Sequence, residues 1–128
     1  MTYIGIRHVH MLVSDQERAV SFYTKAFAMT EVLRAGSLAI LGTPGGGDSL
    51  SLHLADSDSD RDRVGQHGGF EHFGVHMTRG DSIDDAVVRG QEAGGRLVER
   101  GEHAPGIPYA FVADPDGYTI EISRAFGS

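Results

Sequence analysis

The sequence predicts an α+β fold built from two β-α-β-β-β modules. Alternation of apolar and polar residues indicates the strands, and apolar residues at helical spacing indicate one helix in each half. The same order of elements occurs twice, which is the sequence pattern of an internal repeat. The modules cover about 1–56 and 70–128, with a connector at 57–69. A chain of 128 residues is long enough for one compact domain of this kind.

The first half begins with an alternating strand at residues 4–13. Ser14–Glu17 is typical of a capping box, in which the hydroxyl and the carboxylate bind free amides at a helix start. A helix over residues 15–27 is expected to bury one apolar stripe. The stripe consists of Val20, Tyr23, Ala26 and Phe27, and strands follow at 30–34, 38–42 and 49–55.

The second half repeats this plan after a polar, charged connector that lacks periodicity and is expected to be a solvated loop. A strand at 70–78 leads to Asp81, which stands where a helix cap belongs. The buried stripe of the second helix is Ile83, Ala86, Val87, Gly90 and Ala93, and strands follow at 96–100, 109–113 and 118–123. Asp114–Gly117 has the composition of a turn.

Composition narrows the function classes. The formal net charge of −7 argues against a nucleic-acid partner or an anionic membrane surface, because both favour a basic face. Cysteine is absent, which excludes disulfides and thiolate ligands, and no apolar run approaches membrane-spanning length. These features predict a cytoplasmic protein acting on a small molecule. Seven histidines mean that any metal would be held by imidazole and carboxylate groups.

Polar candidates share one face of four different strands. His8 and His10 point away from the apolar side of the first strand, and His72 and His76 do the same in the strand that opens the second half. His53 and Glu121 lie on the polar faces of two later strands. A cation shared by several of these groups would offset the cost of desolvating them.

Two segments resemble the vicinal oxygen chelate superfamily, which includes glyoxalase I, extradiol dioxygenases and bleomycin-resistance proteins. The first is His8 followed by Asp15 and the helical pair Phe22-Tyr23. The second is the run Phe111–Glu121, with its Asp-Pro-Asp-Gly turn, which is similar to the closing signature of the family. The resemblance covers nearly the whole chain and implies that the curved sheets form a half-barrel.

The resemblance also implies a site. His8, His72 and Glu121 match the ligand positions for one divalent metal ion, which could be Fe, Mn, Ni or Zn. His53 falls where glyoxalase I carries another ligand, so that Glu121 and His53 are the candidate catalytic residues. Family members of this size usually form homodimers, and some complete the site across the interface.

The role of His53 separates two reactions. If His53 binds the metal, four protein ligands favour proton transfer of the glyoxalase or epimerase kind. If it does not, His8, His72 and Glu121 resemble the facial triad of non-haem Fe(II) dioxygenases, which is the interpretation we favour. A third possibility is a metal-free drug-binding protein of the bleomycin-resistance type.

Other candidates have secondary roles. His10, His76 and Tyr109 are expected to line the substrate pocket, whereas His67 and His103 are expected to lie in glycine-rich loops and to be solvated. Two residues depart from the family pattern. Ala28 replaces a common glycine after the first helix, and Phe111 replaces the acid–base tyrosine of ring-cleaving dioxygenases.

Overall fold

The computed structural model describes residues 2–124. In that range the first module consists of β1 (His8–Val13), α1 (Gln16–Phe27), β2 (Thr30–Ala35), β3 (Leu38–Gly42) and β4 (Ser49–Leu54). A short helix, α2 (Asp58–Arg63), follows in the connector. The second module consists of β5 (Phe73–His76), α3 (Ile83–Glu92), β6 (Arg96–Ala104), β7 (Ile107–Ala113) and β8 (Thr119–Ser123).

The strands form two mixed four-stranded sheets with equivalent topology. Their orders are β1-β4-β3-β2 and β5-β8-β7-β6. In each sheet the first and last strands of the module pair in parallel and the remaining pairs are antiparallel. The predicted α+β fold of two β-α-β-β-β modules is therefore confirmed, and within residues 2–124 the sheets do not close into a barrel.

Helices α1 and α3 cover one face of the sheets and pack against each other. The buried helical residues are Ala19, Phe22, Tyr23 and Ala26 of α1 and Ala86, Val87 and Gly90 of α3. They contact an apolar core that includes Leu50 and Leu52 of β4 and Ile120 and Ile122 of β8. Because side chains alternate along a strand, the polar residues between these core positions lie on the opposite face of each sheet.

The caps of the two long helices differ from the sequence-based prediction. Asp15 rather than Ser14 caps α1, and its carboxylate accepts the amide of Arg18. Ser14 is not available because its amide and hydroxyl both donate to Asp116 in the second module. Similarly, Ser82 caps α3, since the Asp81 carboxylate is paired with Arg89.

The end of α1 explains why the family pattern favours glycine there. Ala28 follows the helix with a φ of 57°, in the left-handed region. A side chain is strained in that conformation, whereas glycine adopts it readily. The alanine at this position therefore costs stability without preventing the turn into β2.

The Asp-Pro-Asp-Gly turn is bound to the first module by hydrogen bonds. The buried hydroxyl of Tyr23 donates to the Asp114 carboxylate at 2.6 Å. Tyr118, directly after the turn, donates its hydroxyl to the Leu12 carbonyl at 2.7 Å. These contacts join two sequence segments that are about ninety residues or more apart and fix the start of β8 relative to α1.

The connector is not wholly a loop, contrary to the prediction. Ser57 caps α2 by accepting the amide of Asp60, and Arg61 pairs with Asp58 at 2.9 Å. The helix buries none of its residues, which is why hydrophobic periodicity gave no sign of it. Caps and charge pairs at a spacing of three residues stabilise it instead.

The strands of the second module also differ from the predicted ranges. The predicted strand at 70–78 is shortened to β5, so that His72 lies directly before the strand. The hairpin of β6 and β7 is longer than predicted and turns at Pro105-Gly106, where Gly106 has a φ of +82°. His103 is consequently a strand residue, and the prediction that it lies in a loop was wrong.

The proposed module limits of 1–56, 57–69 and 70–128 stay a prediction. Residue 1 and residues 125–128 lie outside the part of the chain that the structure describes. No helix within residues 2–124 is long and apolar enough to cross a membrane.

Candidate metal centre

Three polar side chains meet on the open face of the second sheet, and we refer to His72, His103 and Glu121 as the carboxylate cluster. The Nε2 atom of His72 lies 3.2 Å from Oε1 of Glu121. The Nε2 atom of His103 lies 3.1 Å from Oε2 of the same carboxylate. The Glu121 side chain is 18% exposed, so it lies in a recess that solvent still reaches.

The two histidines also determine the charge of Glu121. Burial would raise the pKa of this carboxyl group, but hydrogen bonds and charge from His103, and then from His72, outweigh burial. The pKa of Glu121 therefore lies below its usual value, and the group is a carboxylate at neutral pH. A deprotonated carboxylate is the form that binds metal ions.

Two aromatic side chains, Phe111 and Tyr109, lie beside the carboxylate cluster. Phe111 contacts the His72 ring edge-on with centroids 4.8 Å apart, and Tyr109 contacts Phe111 in the same way at 5.4 Å. Tyr109 also stacks on His103 at 4.4 Å, and its hydroxyl donates to Glu99 at 2.7 Å. The prediction that Tyr109 lines the pocket stays a prediction, but its ring does lie beside the candidate ligands.

The open face of the first sheet carries a second group, His8, His10 and His53, which we call the histidine cluster. The Nδ1 atom of His8 lies 2.6 Å from the Ser49 hydroxyl. Nε2 of His10 lies 3.2 Å from Nδ1 of His53. Burial, followed by the charges of His53 and His8, lowers the pKa of His10.

The structure does not bring the two clusters together within one protomer. His72 and His103 contact different oxygens of Glu121, and among residues 2–124 no three histidine or acidic side chains converge on one point where they could hold a metal ion. His8 belongs to the first sheet and Glu121 to the second, and the modules contact each other chiefly through α1 and α3. The predicted ligands His8, His72 and Glu121 therefore do not form a complete centre in a single chain.

A cleft of 1030 Å³ lies between the edge strands β1 and β5. His8 and His76 line it, together with apolar residues of both strands, but within the described chain His72 and Glu121 do not. The cleft thus lies between edge strands of the two sheets, and within residues 2–124 the outer edges of β1 and β5 pair with no other strand. Unpaired edges are able to bind another strand.

A family model for the Glyoxalase/Bleomycin resistance protein/Dioxygenase superfamily matches residues 5–122. The chain belongs to this superfamily. No curated protein matches the chain.

Solved structures of this superfamily have the same fold. Lactoylglutathione lyase from Agrobacterium tumefaciens is 17% identical with a TM-score of 0.73, and each chain is covered completely. A superfamily member from Sphaerobacter thermophilus is 20% identical with a TM-score of 0.73, covering 98% of this chain and 100% of the other. A glyoxalase I mutant from Zea mays is 25% identical with a TM-score of 0.74, covering 94% of this chain and 44% of the other.

Members of the superfamily typically use a divalent metal, and the residue types predicted as ligands here suit one, although one chain does not bring them together. Two imidazoles and one carboxylate are a ligand set that suits Fe(II), Mn(II), Ni(II) and Zn(II). When Nδ1 of His8 donates to Ser49, the lone pair of its Nε2 atom remains free. Such a hydrogen bond to the second ring nitrogen is the usual way in which a ligating histidine is oriented.

Two residues that contact the candidate ligands were not found from the sequence. Ser49 gave no signal because a strand serine is usually a packing or solvated residue. The glycines on either side of His103, Gly101 and Gly106, suggested a loop, so the sequence did not indicate that His103 lies in a strand. His103 lies within a strand, β6, whose alternation is broken by two register shifts, so its face could not be read from the period of two.

Proposed function

We propose that two copies of this chain assemble two equivalent metal centres, each from His8 of one copy and His72 and Glu121 of the other. Each centre binds a small substrate through two neighbouring oxygen atoms. The reaction proposed is cleavage of an aromatic ring beside a diol by O₂, as in extradiol dioxygenases that use Fe(II).

The observation that carries the proposal is the pair formed by His72 and Glu121. Nε2 of His72 and Oε1 of Glu121 face each other at 3.2 Å on the open face of the second sheet. These are the atoms that two metal ligands would present to a common ion. A small outward movement of either group would admit the ion between them.

The third ligand is assigned to a second copy because, among the described residues of one chain, His8 does not join His72 and Glu121 in one group. His8 presents its free nitrogen from the edge strand β1, and the opposite edge of the cleft is β5, next to His72. A two-fold pairing that places β1 of one copy beside β5 of the other brings the clusters together twice.

Two imidazoles and one carboxylate on one side of a cation leave adjacent coordination positions open. When bound, the cation supplies Lewis acidity and holds two substrate oxygens in place. The protein residues then orient the substrate. The rings of Phe111 and Tyr109, which contact each other edge-on, offer apolar surface beside the ligands. The hydrogen-bonded pair of His10 and His53 supplies nitrogens that can exchange protons with substrate hydroxyls.

The arrangement of β4 favours the dioxygenase over the glyoxalase reaction. Ser49 and not a carboxylate or amide lies opposite His8. His53, the candidate fourth ligand, is four residues further along β4 and its ring contacts His10. Four strand residues span about 13 Å, which supports a centre with three protein ligands.

A glyoxalase I-like lyase is the second candidate, because two of the similar solved structures are named as glyoxalase I and lactoylglutathione lyase. That reaction needs a group that moves a proton between neighbouring carbons. Glu121 and His53 are the residues to which we would assign this step, with the same metal-binding histidines.

The experiment that tests the proposal combines metal analysis with two assays. The stripped protein is loaded with Fe(II) without oxygen, and bound metal is measured by elemental analysis. We expect about one ion per chain, since a two-fold dimer has two equivalent centres. His72→Ala should lose the metal. The matched variant His76→Ala, at the far end of the strand that His72 directly precedes, should retain it.

The loaded protein is then given a panel of catechols in an oxygen electrode and, separately, a hemithioacetal. Oxygen uptake with a catechol supports the dioxygenase, and turnover of the hemithioacetal without oxygen uptake supports the lyase instead. Wild-type protein that binds no Fe, Mn, Ni or Zn would contradict both, and would favour a metal-free drug-binding protein.

A further inference from the structure

His103 is the one member of the carboxylate cluster that has no place in the proposed ligand set. Its Nε2 atom lies 3.1 Å from Oε2 of Glu121, the oxygen that does not face His72. The two carboxylate oxygens of Glu121 are thus directed to different partners. One oxygen faces the candidate metal position and the other is occupied by an imidazole.

The backbone around His103 is adapted to this contact. Glu102 pairs with Pro108 and Ala104 with Ile107, and the register shifts between them, so His103 is an extra residue in β6. The earlier register shift, between Leu97 and Glu99, sets Glu99 and Gly101 opposite Phe111 and Tyr109, and alternation from Gly101 places His103 on the same open face as Glu121. Bulges are over-represented beside active sites.

The ring of His103 is held from its other side by Tyr109. The two rings are nearly parallel, with an interplanar angle of 20° and centroids 4.4 Å apart. The Tyr109 hydroxyl is anchored by Glu99 at 2.7 Å. Gly101 provides the space for this ring, because a Cβ atom there would lie 2.7 Å from the Tyr109 hydroxyl oxygen.

We propose that His103 is a positioning residue that binds Oε2 of Glu121 and so limits this carboxylate to one metal-binding oxygen, Oε1. The inference rests on the metal role proposed for Glu121. A carboxylate that is free to turn can bind through both oxygens and occupy an additional coordination position. By holding Oε2, His103 keeps that position open for the substrate and orients Oε1 before the metal binds.

The test measures the dissociation constant of Mn(II) by calorimetry in stripped, refilled protein, and therefore does not depend on turnover. His103→Leu removes the donor, and we expect the affinity to fall by about ten- to a hundredfold, as for other groups that orient metal ligands. His103→Gln places an amide N–H near the position of Nε2 and should recover most of the affinity. A residue that merely fills space would be replaced better by leucine than by glutamine.

Gly101→Ala tests the same chain of contacts without altering His103. The new methyl group displaces Tyr109 and should weaken Mn(II) binding, although less than His103→Leu. Gly80→Ala is the matched control, because a Cβ atom at Gly80 meets no atom within 4 Å and Gly80 lacks a positive φ. Thermal unfolding of each metal-free variant identifies any that fail to fold.

The outcomes separate the inference from the proposed function. If the wild type binds Mn(II) and His103→Leu binds it equally well, the inference is wrong and the metal centre stands. The inference is also wrong if His103→Gln binds no better than His103→Leu. If the wild type itself binds no metal, the proposed function and the inference that rests on it both fail.

Discussion

Strands β4 and β8 occupy the same place in their sheets but carry different chemistry. Each is the neighbour of an edge strand, with which it pairs in parallel. On its open face β4 presents the serines Ser49 and Ser51, whereas β8 presents the carboxylate of Glu121. The hydroxyl of Ser49 contacts one histidine, and the carboxylate contacts two.

In the proposed metal centre, this difference makes the two modules unequal halves of one site. The first module orients an imidazole through a hydroxyl and contributes no negative charge at that position. The second contributes the charge and a further imidazole, and directs the two oxygens of one carboxylate to different partners. In this proposal His8 comes from the first module and His72 and Glu121 from the second, so neither module alone provides the set of three ligands that is usual for a catalytic centre.

The largest expected effect comes from making β8 resemble β4. Glu121→Ser removes the carboxylate and should lower the affinity for Mn(II) by at least about a hundredfold, because even the partners of ligands contribute ten- to a hundredfold. Calorimetric titration of the stripped protein measures this. Glu92→Ser, at an exposed position of α3, is the control. If both variants lost the same Mn(II) affinity, the assignment of Glu121 as a metal ligand would be wrong.

A smaller effect is expected when the hydroxyl beside His8 is removed. Ser49→Ala leaves Nδ1 of His8 without its partner at 2.6 Å, and the affinity for Mn(II) should fall by about tenfold. Ser51→Ala is a matched control on the same face of the same strand, because Ser51 pairs in register with His10 instead. We expect only Ser49→Ala to weaken Mn(II) binding. If Ser51→Ala weakened it more than Ser49→Ala, Ser49 would not be a residue that orients a ligand.

The third prediction concerns the contact that fixes the two modules relative to each other. Tyr23→Phe leaves the Asp114 carboxylate, which is only 6% exposed, without its hydroxyl donor. The free energy of unfolding should decrease by about 1–3 kcal/mol, the usual cost of losing one partner of a buried polar group. Chemical denaturation measures the change, and Tyr3→Phe, at an 84% exposed position, should leave stability unaltered.

The smallest effect is a pH dependence that arises in the histidine cluster. Because the pKa of His10 is lowered in the folded protein from 6.5, the unfolded chain binds more protons in the window between the two values. Stability of the metal-free protein should therefore be retained above pH 6.5 and decline as the pH falls through the lowered pKa. Denaturation from about pH 7.5 to about pH 5.5 measures the decline. If the free energy of unfolding of the wild type falls with pH no more steeply than that of His10→Asn, the prediction is wrong.

Much of the fold could be predicted because alternation and helical spacing determine which face of each element is buried. The two-residue period placed His8, His10 and His53 on one face of the first sheet. The hydrogen bond between His10 and His53 and the edge-on contact between the rings of His8 and His10 agree with this. The bulge at His103 could not be foreseen, since it interrupts the period. The connector helix α2 was missed because it has no buried face.

The sequence identifies the closing signature of the family by its residues alone, and the structure shows what those residues do. Asp114 accepts the Tyr23 hydroxyl and the amides of Asp116 and Tyr118, so the turn is tied both to itself and to the first module. What the sequence could not give is the separation of the clusters, because periodicity assigns faces and not the distance between sheets. The substrate, the metal and a cytoplasmic location stay predictions.

The most direct test of the shared centre mixes two inactive variants. His8→Ala and Glu121→Ala are each expected to lack activity, but a dimer with one copy of each contains one centre with all three ligands. Unfolding and refolding an equal mixture should restore about a quarter of wild-type activity, since half of the dimers are mixed and each has one intact centre. A mixture that stays as inactive as its components, although mixed dimers form, would contradict a centre built from two copies.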